Sequence, residues 1–315
     1  MVRAEAGPVR ADADPAWSWN PITDLQEIWS YPFMVNAFRA GTVVAVLAAA
    51  IGWFMVLRRQ SFAGHTLAVV GFPGAAGATL LGVSAVYGYF AFCLAAALVI
   101  AAVPRAGQGG RAEESALIGT VQAFLLGCGF LFIALYRGSL SGTNELLFGR
   151  FLGITHGQVL LLTAVAVVVL AALAIVGRPL LFASVDPDVA AARGVPVRAL
   201  SVVFLVLLGA AVAEASQITG TLLVFALLVM PPATAHELTA RPGRGLALAV
   251  AIGLTVTWLS LTVAYYSPYP IGFWVTSFAF GAYVLVRCGR AVRGRARRPL
   301  RGSRPRPAHP AGEAR

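Results

Sequence analysis

Apolar runs recur along almost the whole chain, each near the roughly 20 residues that a helix needs to cross a bilayer. They cover approximately 34–57, 64–84, 86–103, 116–136, 157–177, 198–213, 217–235, 245–266 and 271–287. In lipid, backbone groups must be satisfied within each segment, so such runs form helices packed into a bundle. The expected fold class is therefore all-α, a polytopic membrane bundle of about nine transmembrane helices. Composition agrees: 12% of residues are charged, where a soluble domain carries about 25%.

The net charge of +11 resembles a nucleic-acid signature, but its placement points to membrane topology. All 24 basic residues are arginine. With the N-terminus outside and the C-terminus in the cytosol, 19 arginines fall on the inner side and 5 on the outer. That asymmetry is the positive-inside pattern. Trp17, Trp19, Trp29 and Tyr31 precede the first run and suit an outer interfacial belt.

Three regions follow. Residues 1–33 form an extracytoplasmic N-terminal segment, without the apolar core of a signal peptide. Residues 34–287 form the membrane domain. Residues 288–315, rich in Arg, Pro and Gly, read as a disordered cytosolic tail, with contact to anionic lipid as an alternative. Cys93, Cys128 and Cys288 are isolated and form no disulfide framework or metal pair. Paired carboxylates and nucleophile–base arrangements do not occur in the runs, so an enzyme is not expected, and neither is a nucleic-acid partner.

One inner connection, near 178–198, is longer and more structured than the rest. Asp186 suits an N-cap and Pro187 the first helical position, with Asp188 in the first turn. Ala190, Ala191 and Ala192 favour helix, Arg193 complements the C-terminal dipole, and Gly194 suits a left-handed exit. A short capped helix at the cytosolic surface either lies on its own bundle or docks a cytosolic partner. If that partner hydrolyses ATP it is a separate chain, because a P-loop requires a lysine and this sequence has none.

Glycine and proline mark two further runs. Gly71, Pro73, Gly74 and Gly77 would loosen or kink the second, and Pro231-Pro232 the seventh. Both runs are expected inside the bundle, as path-lining or closely packed helices. Polar candidates are few. Glu214 and Gln217 flank the turn between the sixth and seventh runs, as outer-surface groups or lining a mouth. His236 and Glu237 end the seventh run at the inner side. Asn144, Glu145 and His156 lie in an outer loop, solvated or against a partner. His65 sits one turn into the second run, as an interfacial histidine bonded to a nearby carbonyl or as a pathway group.

Four stretches together resemble the permease subunits of bacterial ABC importers for zinc, manganese or iron: "FMVNAFRAGTVVAVLAAAIGWFMVLRRQSFAGHTLA", "LLFGRFLGIT", "VDPDVAAARGVPV" and "ITGTLLVFALLVMPPATA", the last with Gly220, Pro231 and Thr234 at matching places. The resemblance implies a type II ABC importer permease in the bacterial plasma membrane. It also implies a second permease copy, separate ATPase subunits that bind ATP, and an extracytoplasmic metal-binding protein. Asp186–Gly194 would be the segment gripped by the ATPase, and no cofactor would be resident in this chain. In that family, a Gly-Asp pair is usually followed four residues after the Asp by His. Here Gly64 matches, His65 holds the Asp position and Val69 the His position. A lone imidazole suits zinc better than manganese, so Zn2+ is the first expectation for the transported ion and Mn2+ or Fe2+ the alternatives. His65, Glu214, Gln217 and His236 are the candidate path residues, with His65 the candidate ligand. The rival readings are a permease for siderophores or cobalamin, which usually has more spans, and a stand-alone secondary transporter.

Overall fold

A computed structural model of the chain describes residues 21–102, 110–136, 149 and 153–296. Helix α1 (Pro21–Ser30) leads into α2 (Pro32–Leu57), α3 (Ser61–Leu80), α4 (Ala85–Ala102) and α5 (Gly110–Leu135). Next come α6 (His156–Val185), the short α7 (Pro187–Ala192), α8 (Val197–Thr219) and α9 (Thr221–Leu238). Helices α10 (Pro242–Tyr265) and α11 (Ile271–Ala296) complete the described chain. Among the described residues there is no strand, and seven helices are long and apolar enough to cross a membrane. They are α2, α4, α5, α6, α8, α10 and α11.

The two long helices outside that set, α3 and α9, are the ones that glycine and proline single out. Both lie inside. Helix α3 packs on α4, α5, α8 and α9, and α9 packs on α2, α10 and α11. An interior helix meets protein on every side and does not need the hydropathy of one facing lipid. By contrast, α5 and α11 bury little of their surface within this chain. Long α2 runs through the centre, in contact with α6, α8, α9 and α10.

Neither interior helix is broken: α3 continues through Pro73, and α9 through Pro231 and Pro232. The glycines instead let backbones approach. A Cβ on Gly74 would stand 2.4 Å from the Gly88 carbonyl oxygen of α4. A Cβ on Gly52 would stand 2.0 Å from the Leu228 carbonyl oxygen. That carbonyl is an orphan of its own helix, because Pro232, four residues on, has no N–H to donate. Gly71 faces Tyr89 and Cys93. Polar side chains add interhelical ties: Thr66 Oγ1 donates to Gln122 Oε1 at 2.9 Å, and Trp258 Nε1 to Thr42 Oγ1 at 2.9 Å. Such ties contribute about 1 kcal/mol each in a membrane.

Several boundaries differ from the sequence expectation. The sixth run does not stop at Glu214. Helix α8 continues to Thr219, and the turn falls at Gly220, whose φ of 74° and ψ of 158° only glycine adopts readily. Charge suggested an end where the backbone has none. Helix α6 runs past 177 to Val185, enclosing Pro179, so the structured connection near 178–198 is mostly helix. Helix α11 continues beyond 287 to Ala296; residues 297–315 lie outside the described chain, as do Trp17, Trp19, Asn144 and Glu145.

Replacing Gly52 by alanine should lower stability by roughly 1–3 kcal/mol through overpacking, since the clash is with backbone. Gly220→Ala should cost about 1–3 kcal/mol through strain. Gly127→Ala, which meets nothing within 4 Å, should melt with the parent. Thermal melting of the detergent-purified protein measures all three.

Candidate functional site

The short helix α7 is built as its residues dictate. The Asp186 carboxylate accepts the Val189 amide N–H at 3.0 Å, and Pro187 opens the helix. Arg193 closes it, and Gly194 leaves at φ 81° with open space where a Cβ would stand. Glycine is therefore required there by conformation and not by crowding. Only Ala190 of α7 is buried. Pro187, Asp188, Val189, Ala191, Ala192, Arg193 and Gly194 are all exposed, beside an exposed Val185. Six residues cannot hold a helix in place by themselves, so its position depends on its flanks.

Arg58 fixes those flanks. Its guanidinium donates to Ser184 Oγ at 3.0 Å, near the end of α6, and to Ser201 Oγ at 2.6 Å, near the start of α8. Its Nε donates to Gln60 Oε1 at 3.2 Å, and the group lies 5.4 Å over the Phe204 ring. One planar fork thus joins the α2–α3 turn to both helices that flank α7. In the sequence Arg58 counts only toward charge asymmetry. The available signal was two isolated hydroxyls, Ser184 and Ser201, at the ends of apolar runs on either side of the capped segment.

The candidate path residues sit in three different surroundings. On α3, His65 meets the Phe225 ring of α9 edge-on at 4.9 Å between centroids. Its Nδ1 is buried and has no hydrogen-bond partner. The carbonyl-bonded histidine is instead His236, whose Nε2 lies 3.2 Å from the Trp53 carbonyl oxygen and whose ring stacks on the Trp53 indole at 5.1 Å. Its neighbour Glu237 is engaged by Arg287 at 3.3 Å and Arg290 at 3.1 Å. These contacts make the C-terminal end of α9 a latch onto α2 and α11.

Glu214 is not an outer-surface residue: it is 2% exposed, and its Oε2 has no hydrogen-bond partner. It lines a cavity of about 70 Å³ with Gln217, Gln158, Ile154 and Val86. Positions 214 and 217, three apart on α8, share a helix face. The floor of this region is tightly made, since a Cβ on Gly149 would come within 2.2 Å of the Ile218 carbonyl oxygen. Among the described residues no three His, Cys, Asp or Glu side chains gather into a metal cage.

Known proteins resemble the chain over most of its length. The model of the ABC 3 transport family matches residues 30–289. The chelated iron transport system membrane protein YfeC of Yersinia pestis is 31% identical over 242 residues, 77% of this chain and 81% of the relative. The manganese transport system membrane protein MntC of Halalkalibacterium halodurans is 29% identical over 230 residues, 73% of this chain and 78% of the relative. Among solved structures, PsaBC from Streptococcus pneumoniae in complex with Fab superposes with a TM-score of 0.75 at 25% identity. That match covers 84% of this chain and 94% of the other. The chain therefore belongs to the ABC 3 transport family, as a multi-pass permease of the bacterial plasma membrane.

Proposed function

We propose that this chain is the membrane-spanning subunit of an ATP-driven importer for a divalent transition-metal ion. The observation that carries the reading is α7, a capped helix with all but one residue exposed, tied by Arg58 to the interior of the bundle. A separate ATPase would grip α7 from the cytosol, and a second copy of the permease would complete the path. An extracytoplasmic binding protein would deliver the ion. On this reading the chain crosses the membrane nine times, with its N-terminus outside and residues 288–315 in the cytosol. Similarity to relatives named for manganese and chelated iron supports Mn2+ or Fe2+ as cargo ahead of Zn2+. The zinc expectation rested on the lone imidazole of His65.

Alternating access needs a rigid link from the ATPase to the helices that line the path. Arg58 supplies that link, because it belongs to the turn that opens α3 and holds both neighbours of α7. Movement of α7 would pass through Ser184 and Ser201 to α3, where His65 faces α9. In this role Arg58 is a positioning residue, remote from the ion.

Reconstituted with its ATPase, the chain should take up Mn2+ or Fe2+ into vesicles in an ATP-dependent manner, and Zn2+ less well. Ala191→Glu keeps helix propensity but places a charge on the exposed face of α7. It should abolish co-purification of the ATPase and leave thermal melting unchanged; an intact complex would refute docking at α7. Arg58→Lys, or the milder pair Ser184→Ala with Ser201→Ala, should leave ATP hydrolysis running. Ions moved per ATP should fall by roughly tenfold, the effect of losing charge-assisted bonds of about 1.5 kcal/mol. An unchanged ratio would exclude Arg58 from transmission.

A further inference from the structure

We propose that the Glu214 cavity is a cation station built only of oxygen donors, separate from His65, which holds a hard divalent ion of the Mn2+ class near one end of α8. The assignment of cargo rests on the importer reading, but the station itself follows from geometry. A carboxylate 2% exposed, with one oxygen buried and unpartnered, is costly in a membrane bundle unless something positive or polar meets it. The described structure supplies no hydrogen bond or ion pair to it, and it does supply space. The cavity of about 70 Å³ exceeds the roughly 10–15 Å³ needed to hold a water molecule, leaving room for an ion with water.

The other polar groups around the cavity narrow the chemistry. Gln217 donates its side-chain N–H to the Ala213 carbonyl at 3.4 Å, which leaves its amide oxygen as an acceptor beside Glu214. The Ile154 carbonyl already takes the Asn36 amide at 3.1 Å. The Gln158 amide oxygen is used in capping α6, accepting the Thr155 N–H at 2.9 Å. Glu214 and Gln217 therefore offer the side-chain oxygens not already engaged, with water completing the donor set. Carboxylate, amide carbonyl and water suit Mg2+, Ca2+ and Mn2+, and of these only Mn2+ belongs to the transition-metal cargo class. Two protein donors form a weak site, as a station that an ion must leave requires. His65 belongs to the α3–α9 contact and takes no part.

The test uses the permease–ATPase complex in nanodiscs, without nucleotide, titrated with Mn2+ alone and read by electron paramagnetic resonance of free and bound ion. The parent should hold one more Mn2+ per permease chain than Glu214→Gln, an isosteric change that removes the charge. Gln217→Leu, which removes the oxygen donor at similar volume, should weaken that Mn2+ by at least ~10-fold, the lower end for disturbed metal shells. Spin-echo modulation of the Glu214-dependent ion should show no directly bound 14N. Equal Mn2+ occupancy in parent and Glu214→Gln, with equal melting, would overturn the proposal. So would a 14N coupling from histidine. Should Glu214→Gln fail to fold, Gln217→Leu decides: weaker Mn2+ supports the station and unchanged Mn2+ removes it. The titration involves no uptake, so a complex that fails to transport would refute the importer reading and leave this result readable.

Discussion

The bundle depends on backbone meeting backbone. At Pro232, α9 loses the N–H that would serve the Leu228 carbonyl, and that carbonyl lies against Gly52 of α2. Lipid offers no solvent for such a group. The neighbouring helix must come close enough to cover it, and only a residue without a Cβ allows the approach. The same device recurs at Gly74 and Gly88 between α3 and α4. Because α9 and α3 are enclosed in this way, their surroundings tolerate imidazoles, hydroxyls and prolines that a lipid-facing helix would not. The buried polar groups and the tight packing are thus one arrangement, and a proline that looks like a break in the sequence is a contact in the fold.

That rigidity explains how a six-residue helix can matter. Helix α7 has almost no buried surface of its own, so it moves as its flanks move. Arg58 binds both flanks through a planar fork whose geometry a lysine cannot copy. On the proposed reading, a force applied at α7 would reach the α2–α3 turn with few soft torsions between. In water a surface arginine would contribute little to stability. Here the half-buried guanidinium, covered by Phe204, is a structural joint.

Much of this was legible in the residues. Asp186, Pro187 and Gly194 specify α7 by local chemistry, since caps and turn conformations need no tertiary context. The interior placement of α3 and α9 followed from small residues and proline. The turn between α8 and α9 was misplaced because hydropathy ends a span at its first charge, whereas Glu214 is carried inside and Gly220 makes the turn. Of the two readings left open for His65, a carbonyl bond or a pathway group, the carbonyl bond is found at His236 instead, because which imidazole finds a carbonyl depends on helix–helix register. The role of Arg58 was missed for the same reason, since Ser184 and Ser201 lie more than a hundred residues away; Glu214 and Gln217 were named together as a possible mouth, but their enclosure depends on three helices.

The departure at residues 65 and 69 then has a counterpart elsewhere in the fold. The related pattern puts a carboxylate and an imidazole on one face of the second span; here that face carries an imidazole and a valine. A carboxylate does lie inside the bundle on α8, where Glu214 is buried in a cavity of its own. On the proposed assignment, the oxygen donors of α8 hold the ion apart from the imidazole of α3. Oxygen donors suit a hard ion, while an imidazole suits a softer one. A station of two protein donors would stay shallow, which is the condition for flow.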